Sequence, residues 1–126
     1  MDYTIKNLRD VDDMAAKQGF SETQEARFAV TDLNAEDTGI SYHVVRPGKR
    51  QAFGHHHQAA EEIYVVLSGS GRIKLDEEVS DVGPMDAIRI APQVTRAFEA
   101  GPDGLELLAF GPHHADGEPV DDAWTA

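Results

Sequence analysis

Along most of the chain, apolar and polar residues alternate in runs too short and too closely spaced for helices. From Ala26 onward the segments ARFAVTDL, GISYHVVR, EEIYVVLSG, GRIKLDEE, DAIRIA, TRAFEA and LELLAFG are rich in β-branched and aromatic residues, which pack well on a pleated surface. NAEDTG, PGKR, SGSG, VGPM and AGPDG separate them, and supply the Gly, Pro, Asn and Asp that end strands. Strands this short and regular predict a sandwich or barrel. Gly69 and Gly71 in SGSG read as a tight hairpin, and Asp76 to Glu78 as the tip of another. DVDDMAAKQG, near the N-terminus, reads differently. It predicts a short helix with Asp10 as N-cap, acidic residues in the first turn and Gly19 as its stop.

Period-two geometry sharpens the reading of EEIYVVLSG. Glu62, Tyr64 and Val66 share one face; Ile63, Val65 and Leu67 share the other. Both faces are apolar beyond Glu62, so the strand is expected to be covered on both sides. A single small barrel covers one. The second cover is the N-terminal segment, the tail or another subunit, and the reading favours a homodimer. Arg89, between Ile88 and Ile90, points outward if that isoleucine face is inward. The tail HHADGEPVDDAWTA is polar except for Val120 and Trp124. It is expected to wrap the surface with Trp124 as anchor and His113 and His114 in solvent.

Composition narrows the functional classes. The chain has 126 residues, enough for one domain and one core. With 11 Lys+Arg against 23 Asp+Glu its net charge is −12. That field repels phosphate backbones and anionic membranes and attracts cations, which argues against nucleic-acid and membrane partners. The absence of cysteine removes disulfides, thiolate nucleophiles and cysteine-ligated iron–sulfur clusters. The first residues carry no apolar segment of signal-peptide length. The longest apolar run, Ile63 to Leu67, is far short of the ~20 residues that span a bilayer. A cytoplasmic location is expected. No Ser–His–Asp constellation can be placed, and no nucleotide-binding glycine fingerprint stands between a strand and a helix.

The stretch GHHHQAAEEIYVVLSGSG holds three of the six histidines. If it is extended, His55 and His57 point to one side and His56 to the other. A turn through QAA then leads to a strand whose inward polar group is Glu62. Two imidazoles and a carboxylate can converge there, a ligand set that suits non-haem Fe(II) or, in other geometries, Mn, Ni or Zn. The plainer alternative is a solvated loop. Tyr64 beside Glu62 is read as packing or as a hydroxyl donor to a ligand. His43, on the face of Ser41 and Val45, is read as a satisfied or surface histidine rather than a ligand.

The wider pattern resembles the cupin superfamily, in particular small single-domain bacterial cupins. The first cupin motif is Gly, a spacer, His-x-His, three or four residues, Glu, six residues and Gly. Here Gly48, KRQAFG, His55-His56-His57, QAAE, Glu62, IYVVLS and Gly69 follow in that order, with the first spacer one residue longer than usual. The second motif aligns with PMDAIRIAPQVTRAFEAG but is worn. Met85 stands at the first Gly, Ala91 at the Pro, Gln93 at the second Gly, Arg96 at the His and Ala100 at the Asn. The resemblance implies an all-β fold, a cupin-type jelly-roll β-barrel with a short N-terminal helix, commonly dimeric, with the site inside. One domain would span residues 1–126. Its conserved barrel would cover roughly 40–110, after an N-terminal helix and strands over 1–39 and before a tail over 111–126.

Arg96 changes what such a site does. A guanidinium is permanently charged, offers only donors and cannot replace histidine on a metal. Either Arg96 swings away and leaves His55, His57 and Glu62 open to one divalent metal (Fe, Mn, Ni or Zn), or it turns inward and a salt bridge to Glu62 replaces the metal. A third reading makes Arg96 a clamp for a small carboxylate or phosphate. Three functions therefore stand open. The first is a small-molecule-binding protein with its ligand inside the barrel. The second, implied by the resemblance, is a metal-dependent dioxygenase, isomerase or decarboxylase. The third is a structural or interaction protein with a vestigial site.

Overall fold

The computed structural model describes residues 2–112, 117–120 and 123–124. Eight antiparallel strands form one curled sheet: β1 Gln24–Phe28, β2 Thr38–Val45, β3 Gly54–His56, β4 Glu62–Leu75, β5 Glu78–Val82, β6 Ala87–Ile90, β7 Arg96–Pro112 and β8 Glu118–Val120. β4 and β7 pair along most of their length and form the spine. β7 also carries β2 on one flank and meets β3 at its start, while β4 carries β5 and β6. The inward residues of this sheet, among them Tyr64, Val66, Ile73, Phe98, Leu105 and Leu107, make the core.

Two strands, β4 and β7, are longer than the glycine-rich separators suggest. SGSG is not a hairpin: β4 runs straight through it. Gly71 pairs with Ala100 and Gly69 with Leu105, so residues 101–104 bulge out of β7 instead of ending it. The glycines are needed for a different reason than a turn. A Cβ on Gly71 would overlap the carbonyl of Glu99, and one on Gly69 the carbonyl of Gly104. The second expected hairpin is present: Leu75 pairs with Glu78, and Asp76 adopts a left-handed φ of 52°.

Two further segments depart from expectation. ARFAVTDL is a strand only as far as Phe28, and Val30–Leu33 forms a helical turn, α2. It closes because Asn34 takes the left-handed conformation at its C-cap, φ 57°. In DVDDMAAKQG, Leu8–Asp10 is a 3-10 turn and the helix α1 is Met14–Lys17, capped by Asp13 rather than Asp10. One Asp13 oxygen accepts from the amides of Ala15 and Ala16 at 3.0 and 3.4 Å, and also from Ala26 of β1 at 3.0 Å. The cap therefore ties the helix to the sheet, which Asp10 is too early in the chain to do.

The alternation within β4 holds. Tyr64 and Val66 are buried, whereas Ile63 and Leu67 are 40% and 39% exposed on the outer face. The described chain thus leaves part of that outer row open. Arg89 points outward and pairs with Glu61 at 3.1 Å. In the tail, β8 pairs with β3, and the Trp124 ring lies 4.9 Å from the Arg50 guanidinium and 5.7 Å from that of Arg72. His113 and His114 lie outside the described residues. Among the described residues no helix is long and apolar enough to cross a membrane.

Met85, which stands where the cupin motif has glycine, has φ 71° and is 79% exposed. The left-handed region costs a side-chain-bearing residue about 1–2 kcal/mol, part of which glycine returns through its unfolded-state entropy. Met85→Gly is expected to stabilise the fold by about 0.5–1 kcal/mol, seen as a higher urea midpoint at unchanged slope. A lower midpoint would show that the Met85 side chain has a packing role.

Candidate functional site

β3 is extended, so His55 and His57 project to the same side; their ring centroids are 5.1 Å apart at 88°. Register places His55 opposite Arg96, the first residue of β7. Glu62 opens β4 on the inward face, and Tyr64 follows it two residues on. The His57 amide donates to the Pro92 carbonyl at 2.6 Å, which fixes the turn out of β3.

Four side chains converge on one carboxylate oxygen, Oε1 of Glu62. His57 Nε2 lies at 3.0 Å, Arg96 Nη1 at 3.1 Å, the Tyr64 hydroxyl at 3.2 Å and His55 Nε2 at 3.3 Å. The cluster is not a solvated loop: the side chains of His57, Glu62 and His55 are 4%, 13% and 26% exposed. Burial alone would raise the Glu62 carboxyl. The hydrogen bond to His55 and the charges of His55, His57 and Arg96 outweigh it and hold the group at about 2. The Tyr64 hydroxyl is pushed well above its usual value, first by burial and then by the Glu62 charge, so it remains a donor.

Arg96 takes the inward of its two expected courses. It is fully buried, with Nη1 on Glu62 and Nη2 donating to the Ala91 carbonyl at 3.0 Å. Its guanidinium has no exposed surface and does not line the neighbouring cavity. The metal set remains geometrically intact, because ligand atoms of His55, His57 and Glu62 lie within 4.8 Å of one another and could hold a metal ion. The donor types, two imidazoles and a carboxylate, fit a divalent cation. Such an ion would share Glu62 with a guanidinium.

The cluster forms the polar end of a cavity of about 610 Å³. Its walls include Met14 from α1, Phe28 from β1, Ile40 from β2 and Phe53 from the loop before β3. Gly117, leading into β8, lies against the His57 ring. Ser41 and His43 also line the cavity, with the serine hydroxyl 2.7 Å from His43 Nε2 and the Phe28 ring edge-on to the imidazole at 5.5 Å. His43 is thus a site residue that the sequence reading set aside. The signal was present in its strand: His43 shares a face with Ser41 and Val45, and Val45 is fully buried.

Burial, aided by the nearby His55, pulls His43 down to about 4, against a modest pull upward from Glu62. An unfolded histidine titrates near 6.5. Between these values the unfolded chain binds the extra proton, so this group's contribution is complete above pH 6.5 and is lost as pH falls toward 4. His43→Gln is expected to lose less stability over that window than the parent, measured by urea midpoints. Parallel curves would mean that water reaches the imidazole freely.

A family model described as "Cupin domain" matches residues 41–110, more than half of the chain. No curated protein matches the sequence. Among solved structures, a cupin protein from Bacteroides fragilis superposes with a TM-score of 0.72 at 24% identity, covering 89% of this chain and 85% of that one. The polyketide cyclase RemF from Streptomyces resistomycificus gives 0.76 at 21% identity, covering 94% and 84%. Oxalate decarboxylase from Bacillus subtilis gives 0.73 at 18% identity, covering 93% of this chain and 33% of the longer enzyme. At such identities the superpositions speak to the fold alone. The family match and the shared barrel agree, and the chain belongs to the cupin family.

Proposed function

We propose that this chain binds a small organic molecule inside the barrel, with Glu62, His55, His57 and Tyr64 as the polar end of the site. One observation carries this reading: a cavity of about 610 Å³ with apolar walls opens onto that cluster, and enclosed apolar pockets with a few convergent polar groups are the usual form of small-molecule sites. In this role Arg96 acts through Glu62, holding its oxygen in place, and Tyr64, whose hydroxyl proton goes to Glu62, offers its oxygen as an acceptor to the ligand. The cavity can be tested by filling it. A thermal-shift screen of phenols, sugars and organic acids should find stabilising compounds, since a ligand at 100 times its Kd adds about 2.7 kcal/mol. The gain should vanish in Ala109→Trp, which fills the cavity from β7, and in Met14→Trp, which narrows it from the partly exposed α1. Stabilisation that survives in both variants would place the ligand elsewhere.

A second reading, a metal-dependent enzyme, is favoured by the convergence of His55, His57 and Glu62. A cyclase and a decarboxylase are among the structures sharing the fold. A divalent ion held by these three residues would supply Lewis-acid or redox chemistry; Fe, Mn, Ni and Zn suit the donors. The chain's own part would be to orient Glu62 through Arg96 and to keep a proton on Tyr64. Arg96→His removes the competing charge and adds a third imidazole as fourth ligand. It should tighten Mn, Ni or Zn binding at least tenfold in equilibrium dialysis. Unchanged affinity would argue against a metal centre at these residues.

A further inference from the structure

The charge of the cavity wall limits what can enter it. Among the described residues that line it, Glu62 is the only acid, and neither lysine nor arginine is present. The carboxylate is already met by Arg96 at 3.1 Å. The cavity therefore contains no permanent cation to receive an anion, its histidines lie beside Glu62, and its one carboxylate is engaged. The chain's net charge of −12 opposes anions further. An ion moved from water into such a site loses its hydration without a partner, which disfavours its binding.

The remaining wall points the same way. Gln24 and Gln51 line the cavity, but their carbonyl oxygens are used on the Ala52 and Phe98 amides, at 2.7 and 3.0 Å. Met14, Phe28, Val30, Ile40 and Phe53 supply apolar surface. Hydrogen-bonding groups stand at the Tyr64–His55–Glu62 end and the Ser41–His43 pair, and the further polar residues of the wall, Gln18, Gln24, Thr31 and Gln51, are uncharged.

We infer that the ligand of the metal-free barrel is an uncharged, largely apolar molecule with a hydroxyl, carbonyl or amide group that meets these hydrogen-bonding residues. This inference rests on the reading of the cavity as a small-molecule site, and names the class that site accepts. It runs against the expectation that Arg96 clamps a carboxylate or phosphate, because the guanidinium has no exposed surface and is not among the residues that line the cavity.

The test uses two fluorescent probes with one skeleton. N-phenyl-1-naphthylamine is neutral; 8-anilino-1-naphthalenesulfonate adds a sulfonate. Both are titrated with the full chain at pH 8, with EDTA to keep metals out. About 0.5 M salt shortens the screening length to a few ångströms and suppresses the long-range effect of the net charge. The neutral probe should bind at least tenfold more tightly. Ala109→Trp and Met14→Trp should weaken its binding, and Met14→Lys, which adds a cation to the wall, should narrow the preference. Equal or tighter binding of the sulfonate, still blocked by the tryptophan variants, would overturn the inference while leaving the cavity as the site. No binding of either probe, or binding that both tryptophan variants leave unchanged, would overturn the small-molecule reading itself.

Discussion

The site is organised around one buried ion pair. Arg96 has no exposed surface, and an arginine so placed is tolerated only if its charge is met and its donors are used. Glu62 meets the charge, and the Ala91 carbonyl takes a second donor. Removing two ions from water costs several kcal/mol each, so the pair is weak evidence for stability. Its consequence is positional. The carboxylate oxygen held by Arg96 is the same atom approached by both imidazoles and by the Tyr64 hydroxyl. Three side chains, His55, His57 and Tyr64, therefore meet on a single oxygen, and the guanidinium holds that oxygen.

The barrel can place these groups because β4 and β7 are continuous. Glu62 begins β4 and Arg96 begins β7, yet the strands are antiparallel, so the two residues start from opposite ends of the spine. β6 and β3 close the gap. Glu62 pairs across to Ile90 on β6, and Arg96 pairs across to His55 on β3. The bulge at AGPDG lets the second half of β7 turn to β2. There Glu106 faces outward, accepting from Tyr42, Ser68 and Arg9. That outer cluster ties the N-terminal segment down, and the same segment carries Met14 to the cavity wall.

Much of this was legible in the residues themselves. Period two put Glu62, Tyr64 and Val66 inside and Ile63 and Leu67 outside, because a one-residue slip would reverse every side chain of a half-buried strand. The spacing of His55, His57 and Glu62 carried the cluster. What failed was the punctuation. Glycine marks a turn, a bulge and a close backbone approach alike, so SGSG read as a hairpin when Gly69 and Gly71 in fact make room for β7. Asp10 and Asp13 are equally good caps locally; the Ala26 amide of β1 decides between them, and that contact is tertiary. His43 reads as a satisfied or surface histidine and does hydrogen-bond to Ser41; that it also lines the cavity depends on tertiary packing.

The orientation of Arg96 was beyond sequence reasoning for an energetic reason. Turning inward sets desolvation against Coulombic attraction, two large terms whose difference depends on details of burial. Once the inward state is seen, metal affinity and the ion pair become linked quantities. A cation on His55, His57 and Glu62 must draw on the oxygen that Arg96 already holds. Any stabilisation the pair loses on sharing it is subtracted from metal binding, tenfold in affinity for about every 1.4 kcal/mol. The converse also holds: with a guanidinium where a third imidazole would complete the ligand set, Glu62 keeps a charge partner without metal. Glu62 can then stay ionised inside an apolar cavity, which leaves the rest of that cavity free of charge.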